Sequence, residues 1–332
     1  MRDAPGDPEP YRGTHVAVVG ATGFIGRWVV RALARRGARL ALVVRDEPAA
    51  RALLADDGPS GEVWRVDGCD RRSVTAALDA ARPAVVFNLA GYGSDPAERD
   101  QDRTRAQQLN ADLVATVCDW SGRPRPADWP GCEVVHVGSV LERAALEPRA
   151  SANPGTTALY SESKRAGTRI AVEAARASGL RIAVVRLCQV YGWGEAPGRL
   201  VPMLLAARRT TDPIRLSAGT QARDFTYVED VAEGLLRVGQ TDVAPGTIVE
   251  LGTGRMTTVR GFVETAAEVF GLAPGRLTFG AIETAHAFSH PAVSTAELEH
   301  LTGWIARTSP REGLRRVLAY ESDGDAAGAD PA

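Results

Sequence analysis

The sequence predicts a doubly wound α/β fold, a parallel sheet with helices on both faces, followed by a smaller C-terminal lobe. Three observations carry that expectation. Short β-branched runs alternate with helical stretches through the first half of the chain, the pattern of parallel strands joined by helical crossovers. A glycine-rich turn separates the first such run from the first helix, where backbone N–H groups are free to meet an anion. Past Tyr191 the texture changes, with Gly192, Gly194, Pro197, Gly198 and Pro202 in quick succession; this breaks the alternation and marks the start of a second lobe.

Taken in order, residues 15–19 read as the first strand and 24–36 as an amphipathic helix closed by Gly37. Residues 40–44 and 62–66 give the second and third strands, 73–81 a helix and 84–89 the fourth strand. A long helix is expected over 99–120. Strands at 133–137 and 181–187 flank a helix that carries Tyr160 and Lys164.

Composition narrows the class. With 332 residues, 44% hydrophobic and 24% charged, the chain suits one large globular unit with a sizeable core. A formal net charge of -2 supplies no basic field for nucleic acid or an anionic membrane. The longest apolar runs, such as 14–25, contain glycine and are too short to span a bilayer. The acidic, proline-rich start resembles neither a signal nor a transit peptide, so residues 1–12 and 321–332 are expected to be disordered tails. Cys69, Cys118, Cys132 and Cys188 are irregularly spaced with no Cys-x-x-Cys pair. They read as reduced thiols of a cytoplasmic protein without a metal site.

The most informative single residue is Lys164. Of 39 lysines and arginines it is the one lysine, leaving 38 arginines. A position that stays lysine in such a chain needs a compact, movable point charge in place of a planar guanidinium. Tyr160 lies four residues earlier, one helical turn away, where an ammonium favours the phenolate and draws the tyrosine pKa toward working pH.

The glycine turn reads Gly20-Ala21-Thr22-Gly23-Phe24-Ile25-Gly26. Between a strand and a helix it suits a dinucleotide pyrophosphate resting on the helix N-terminus. With Tyr160-x-x-x-Lys164 downstream, the chain resembles the extended, nucleotide-sugar-modifying branch of the short-chain dehydrogenase/reductase superfamily, over about residues 14–318. Further stretches support the match. Val66-Asp67-Gly68-Cys69-Asp70 is similar to the segment that touches adenine, and Phe87-Asn88-Leu89-Ala90-Gly91 to the strand-end turn that lines the cofactor. Asn110 falls where the family has an asparagine in the long helix, and Val137-Gly138-Ser139 where it has the catalytic Ser or Thr. The stretches beginning at Arg186 and at Arg223 resemble R-x-x-N-V-Y-G, with Gln189 in place of asparagine, and R-D-F-x-x-V-x-D-V.

The resemblance implies a Rossmann-like dinucleotide-binding domain over 13–191, to which 224–256 returns, and a substrate lobe over 192–223 and 257–320. It implies Ser139, Tyr160 and Lys164 as the catalytic set. Tyr160 would give its proton to a carbonyl oxygen, Ser139 would bond the same oxygen, and Lys164 would hold the nicotinamide ribose. Gly20, Gly23, Phe24, Ile25, Gly26, Asp67, Gly68, Leu89, Ala90, Gly91 and Asn110 join Tyr160 and Lys164 at the cofactor. Gln189 and Arg223 fall to a nucleotide-sugar substrate, Arg223 at its diphosphate. A homodimer built on the helices around Asn110 and Lys164 is the default assembly.

The departures from the family bear on the reaction. Sugar 4,6-dehydratases place an Asp-Glu pair after the catalytic residue, whereas this chain has Val140-Leu141, with Glu142 one position later. Arg143-Ala144 replaces Tyr-Gly, and Glu250 stands where many relatives have asparagine. The second strand ends Val44-Arg45-Asp46; an arginine there suits the 2′-phosphate of NADP, whereas Asp46 would suit NAD. The expectation is an NADPH-dependent 4-ketoreductase of a nucleotide-linked keto-sugar in deoxysugar biosynthesis. Its rivals are a 4-epimerase with tightly held NAD, a non-catalytic dinucleotide-binding regulator, and a reductase of a non-sugar carbonyl.

Overall fold

The computed structural model describes residues 11–57, 61–93, 102–129, 131–146, 157–283 and 292–327. Its centre is a seven-stranded sheet built from β1 (His15–Val19), β2 (Arg39–Val44), β3 (Gly61–Arg65), β4 (Val85–Asn88), β5 (Glu133–Ser139), β6 (Ile182–Leu187) and, after β7–β10 below, β11 (Thr247–Leu251). The spatial order is β11-β6-β5-β4-β1-β2-β3 and every pair is parallel. Val- and Leu-rich strands buried on both faces account for this arrangement.

Six helices accompany the sheet: α1 (Phe24–Arg35), α2 (Glu47–Asp57), α3 (Arg71–Ala81), α4 (Arg103–Gln107), α5 (Leu113–Ser121) and α6 (Thr157–Ser178). One apolar core gathers Trp28, Leu33, Leu42 and Phe87 with Val231 and Leu235 of α8 (Val228–Val238). The other, on the opposite face, gathers Leu78, Val114, Trp120, Ala171 and Val184. Helix α7 (Leu200–Ala206) and the short pairs β7 (Gln189–Tyr191) with β10 (Phe225–Tyr227), β8 (Ile214–Leu216) with β13 (Leu277–Phe279), and β9 (Ala222–Arg223) with β12 (Thr257–Thr258) extend the chain beyond β6. Helices α9 (Val259–Phe270), α10 (Ala296–Thr302) and α11 (Pro310–Ala327) complete it.

Several elements differ from the sequence reading. Helix α2 was not expected: Asp46 caps it, accepting the Ala49 N–H at 3.0 Å, so this acid starts a helix as well as ending a strand. The expected helix over 99–120 is three pieces. Its first residues, 99–101, lie outside the described residues, and a π-helical turn at Gln108–Asp112 separates α4 from α5. Of the two segments expected to be disordered, residues 11–12 and 321–327 are among the described residues. Tyr11 is 1% exposed and donates its hydroxyl to Leu236 O at 2.7 Å. At the other end α11 runs through Ala327, with Glu321 buried against Arg208 and Arg209. Tyr11 and Glu321 thus pack into the protein at the inner edges of those segments, which composition alone does not register.

Candidate active site

Where β1 and β4 lie side by side, the chain turns from filling one half of the sheet to filling the other. This is the switch point at which parallel α/β sheets bind ligands. The glycine turn leaves β1 there. Gly20 has φ +84°, and a Cβ on it would lie 2.8 Å from Ala90 N. A Cβ on Gly26 would lie 2.2 Å from Gly20 O. Gly23 occupies the N-cap of α1 without a side-chain acceptor, so the first-turn N–H groups at Phe24, Ile25 and Gly26 remain for an anion. The Leu89 N–H bonds Val19 O at 3.0 Å and holds the Leu89-Ala90-Gly91 turn beside the glycines. This cradle of backbone donors fits a dinucleotide pyrophosphate.

In the segment that the resemblance gives to adenine, exposed Asp67 accepts the Cys69 N–H at 3.0 Å, shaping the turn after β3. A Cβ on Gly68 would meet Leu109 at 3.0 Å, so this turn is packed against the π-helical turn. Arg45 is exposed at the end of β2.

The Asn110 side chain is fully committed. Its Oδ1 accepts the Tyr92 N–H at 2.9 Å, and its Nδ2 donates to Tyr92 O and Ser163 Oγ, each at 2.9 Å. Asn110 therefore acts on the site through the chain beyond Gly91, which it clamps to α6.

Ser139 ends β5, and Tyr160 and Lys164 lie on α6. Lys164 is 4% exposed and donates to Val137 O at 3.1 Å. Its Nζ lies 3.0 Å from where a Cβ on Gly91 would sit, so Lys164 packs against the Leu89-Ala90-Gly91 turn. Burial lowers Lys164 to about 8, with Glu142 the opposing charge. Tyr160 departs from the sequence reading: burial raises its phenol, against a hydrogen bond with Ser139 that works the other way. The half-buried tyrosine keeps its proton, the state a general acid needs.

The sequence set Glu142 one position after the family's acidic pair and gave it no role. Glu142 lies in a 3-10 helix, Val140–Leu146, directly after Ser139. Its buried carboxylate accepts the Ser139 N–H at 2.7 Å, the Thr168 hydroxyl at 3.1 Å and Arg186 Nε at 2.9 Å. It reaches them because position 138 is glycine: a Cβ there would lie 2.6 Å from Glu142 Oε1. Three donors, one of them the Arg186 guanidinium, leave this carboxylate no role as a free acid. Arg143 and Glu250, two departures from the family pattern, form an ion pair with each other. Arg186 and Glu250 are register partners on β6 and β11, so opposite charges alternate from Glu142 through Arg186 and Glu250 to Arg143.

On the lobe side, the Gln189 N–H bonds Asp224 O at 3.0 Å, setting Gln189 beside the Arg223-Asp224 segment. Arg223 is 8% exposed, and its Nη1 donates to Ala222 O at 2.8 Å. Asp224, which sequence reasoning passed over, accepts the Thr253 N–H at 3.0 Å and the Gly254 N–H at 2.8 Å. It ties the loop after β11 to the strand carrying Arg223. Among the described residues no group of His, Cys, Asp and Glu is arranged to hold a metal, and no helix is long and apolar enough to cross a membrane.

Comparison with known proteins agrees with this architecture. The profile of the NAD dependent epimerase/dehydratase family matches residues 16–252. A dTDP-6-deoxy-L-talose 4-dehydrogenase (NAD(P)(+)) of Kitasatospora kifunensis is 29% identical over 328 residues, covering 92% of this chain and 95% of the relative. A probable dTDP-glucose 4,6-dehydratase of Sinorhizobium fredii is 25% identical, covering 92% of each chain. Among solved structures, a dTDP-glucose 4,6-dehydratase from Bacillus anthracis in complex with NAD superposes with a TM-score of 0.78 at 15% identity, covering 95% of this chain and 98% of that one.

Proposed function

Because the chain belongs to the NAD dependent epimerase/dehydratase family, whose members are NAD(P)-dependent enzymes of the extended short-chain dehydrogenase/reductase type, we propose that it is an NADPH-dependent reductase of a nucleotide-linked 4-keto-sugar. The observation that carries this reading is the segment after Ser139. Val140 and Leu141 offer no acid or base, and Glu142 is bound by Ser139 N, Thr168 and Arg186. Among the described residues after Ser139, none is a free acid or base for the elimination expected of a 4,6-dehydratase, whereas carbonyl reduction asks of the chain only Ser139, Tyr160 and Lys164 beside the cofactor's hydride. The similarity to a 6-deoxysugar 4-dehydrogenase, whose chemistry reversed is a 4-ketoreduction, points the same way.

In this proposal the reduced nicotinamide supplies the hydride, and the chain supplies position and proton. The glycine turn and the Leu89-Ala90-Gly91 turn hold the dinucleotide, and Lys164 meets its ribose. Ser139, fixed through its backbone by Glu142, donates to the carbonyl oxygen, and Tyr160 gives that oxygen its proton as charge develops there. Arg223 pairs with the substrate diphosphate through a guanidinium fork. The test is to incubate the purified protein with NADPH and a dTDP-4-keto-6-deoxysugar. One NADPH consumed per sugar reduced supports the reading; release of water from a dTDP-hexose without net cofactor use would replace it with a dehydratase.

A further inference from the structure

Arg45 and Arg105 both act by their charge on Cys69, in the turn at Asp67-Gly68-Cys69. Arg45 leaves the end of β2, exposed, while Asp46 beside it is engaged in capping α2. Arg105 lies on α4 one helical turn before Leu109, the residue that packs against Gly68. Residues four apart share a helix face, which carries Arg105 over the same turn. The Cys69 thiol is raised by burial and by Asp67, and both guanidinium charges, Arg105 and Arg45, pull it back. Nearby, Arg51 pairs with Glu47 and Arg71 with Asp119. Among the described residues, Arg45 and Arg105 have no carboxylate partner.

Two unpaired guanidinium groups beside the turn that shapes an adenosine pocket match a dianionic phosphate on the adenosine ribose. We propose that Arg105, together with Arg45, forms a two-arginine site for the 2′-phosphate of a phosphorylated adenosine. The assignment of Arg105 rests on the NADPH reading above and adds to it a residue from a helix distant in sequence from the end of β2. It also accounts for Asp46: with that carboxylate turned to Ala49, the strand end presents a cation.

Calorimetric titration with 2′,5′-ADP and with 5′-ADP tests this without any sugar substrate. The wild-type protein is expected to bind 2′,5′-ADP at least tenfold more tightly than 5′-ADP. Arg105→Ala and Arg45→Ala should each shrink that ratio several-fold, the double variant should bring it near one, and Arg311→Ala, a charge control on α11, should leave it unchanged. If Arg45→Ala removes the preference and Arg105→Ala does not, Arg105 falls and the NADPH reading stands. Equal weakening of both ligands by Arg105→Ala would make it a general adenosine contact and overturn the phosphate assignment. A wild-type protein with no preference would overturn the NADPH reading and the two-arginine site together.

Discussion

Lys164 carries two opposed demands, a charge for chemistry and a place in the core. Its Nζ is confined between Val137 O and Gly91, a space a guanidinium plane does not fit. Lys164→Arg is therefore expected to lower turnover at least tenfold, about 1.4 kcal/mol of transition-state stabilisation, and near wild-type turnover would show that any cation serves. The same residue should cost stability. In the folded chain it titrates near 8, against 10.5 as its ordinary value. Between those values the unfolded chain binds more protons, so stability rises with pH there. Below pH 8 the full cost, roughly 3 kcal/mol, is in force. Lys164→Met should thus be more stable than wild type to urea at pH 7, with the advantage fading by about pH 10; a difference independent of pH would refute this. Arg223→Ala should weaken sugar-nucleotide binding by about 1.5–3 kcal/mol while leaving cofactor affinity in place, as separate titrations would show. The placing of Ser139 at a strand end and of Tyr160 and Lys164 one turn apart on a helix was legible in the sequence through the family resemblance. The duty of Glu142 was not, because its three donors come from β5, α6 and β6.

At the scale of elements, the local grammar of the chain was readable wherever hydrophobic period and glycine agreed. The first strand, glycine turn and helix fall where those signals put them. Helix α2 was hidden by a competing use of its capping residue: Asp46 was weighed as a ribose ligand, although Asp46, Pro48 and the alanines after it also make a helix start. The π-helical turn had no local signal, since Asn110 finds its partners at Tyr92 and Ser163. The 3-10 helix after Ser139 depends on Gly138 leaving room for Glu142. Gly138→Ala should force that carboxylate away from the Ser139 N–H. We expect a loss of about 1–3 kcal/mol in urea unfolding, together with lower turnover, whereas unchanged stability and turnover would show that the 3-10 helix adjusts freely.

For the whole molecule, the sheet order sets the glycine turn after β1 beside the turn after β4, and β10, which follows Arg223, pairs with β7. That assembly serves either net reduction or epimerisation, and the difference lies in whether cofactor exchanges with solvent. An epimerase regenerates its dinucleotide each cycle and gains from holding NAD; a reductase must release the oxidised form and take up NADPH. The exposed Arg45 and the capped Asp46 favour the second arrangement. The most direct test is hydride tracing: supply NADPH deuterated at the transferred position with a nucleotide-linked 4-keto-sugar and locate the label by NMR. The account predicts deuterium at the newly formed carbinol carbon, with one NADPH consumed per product. A protein that purifies with bound NAD and interconverts two sugars with no label incorporated would contradict it.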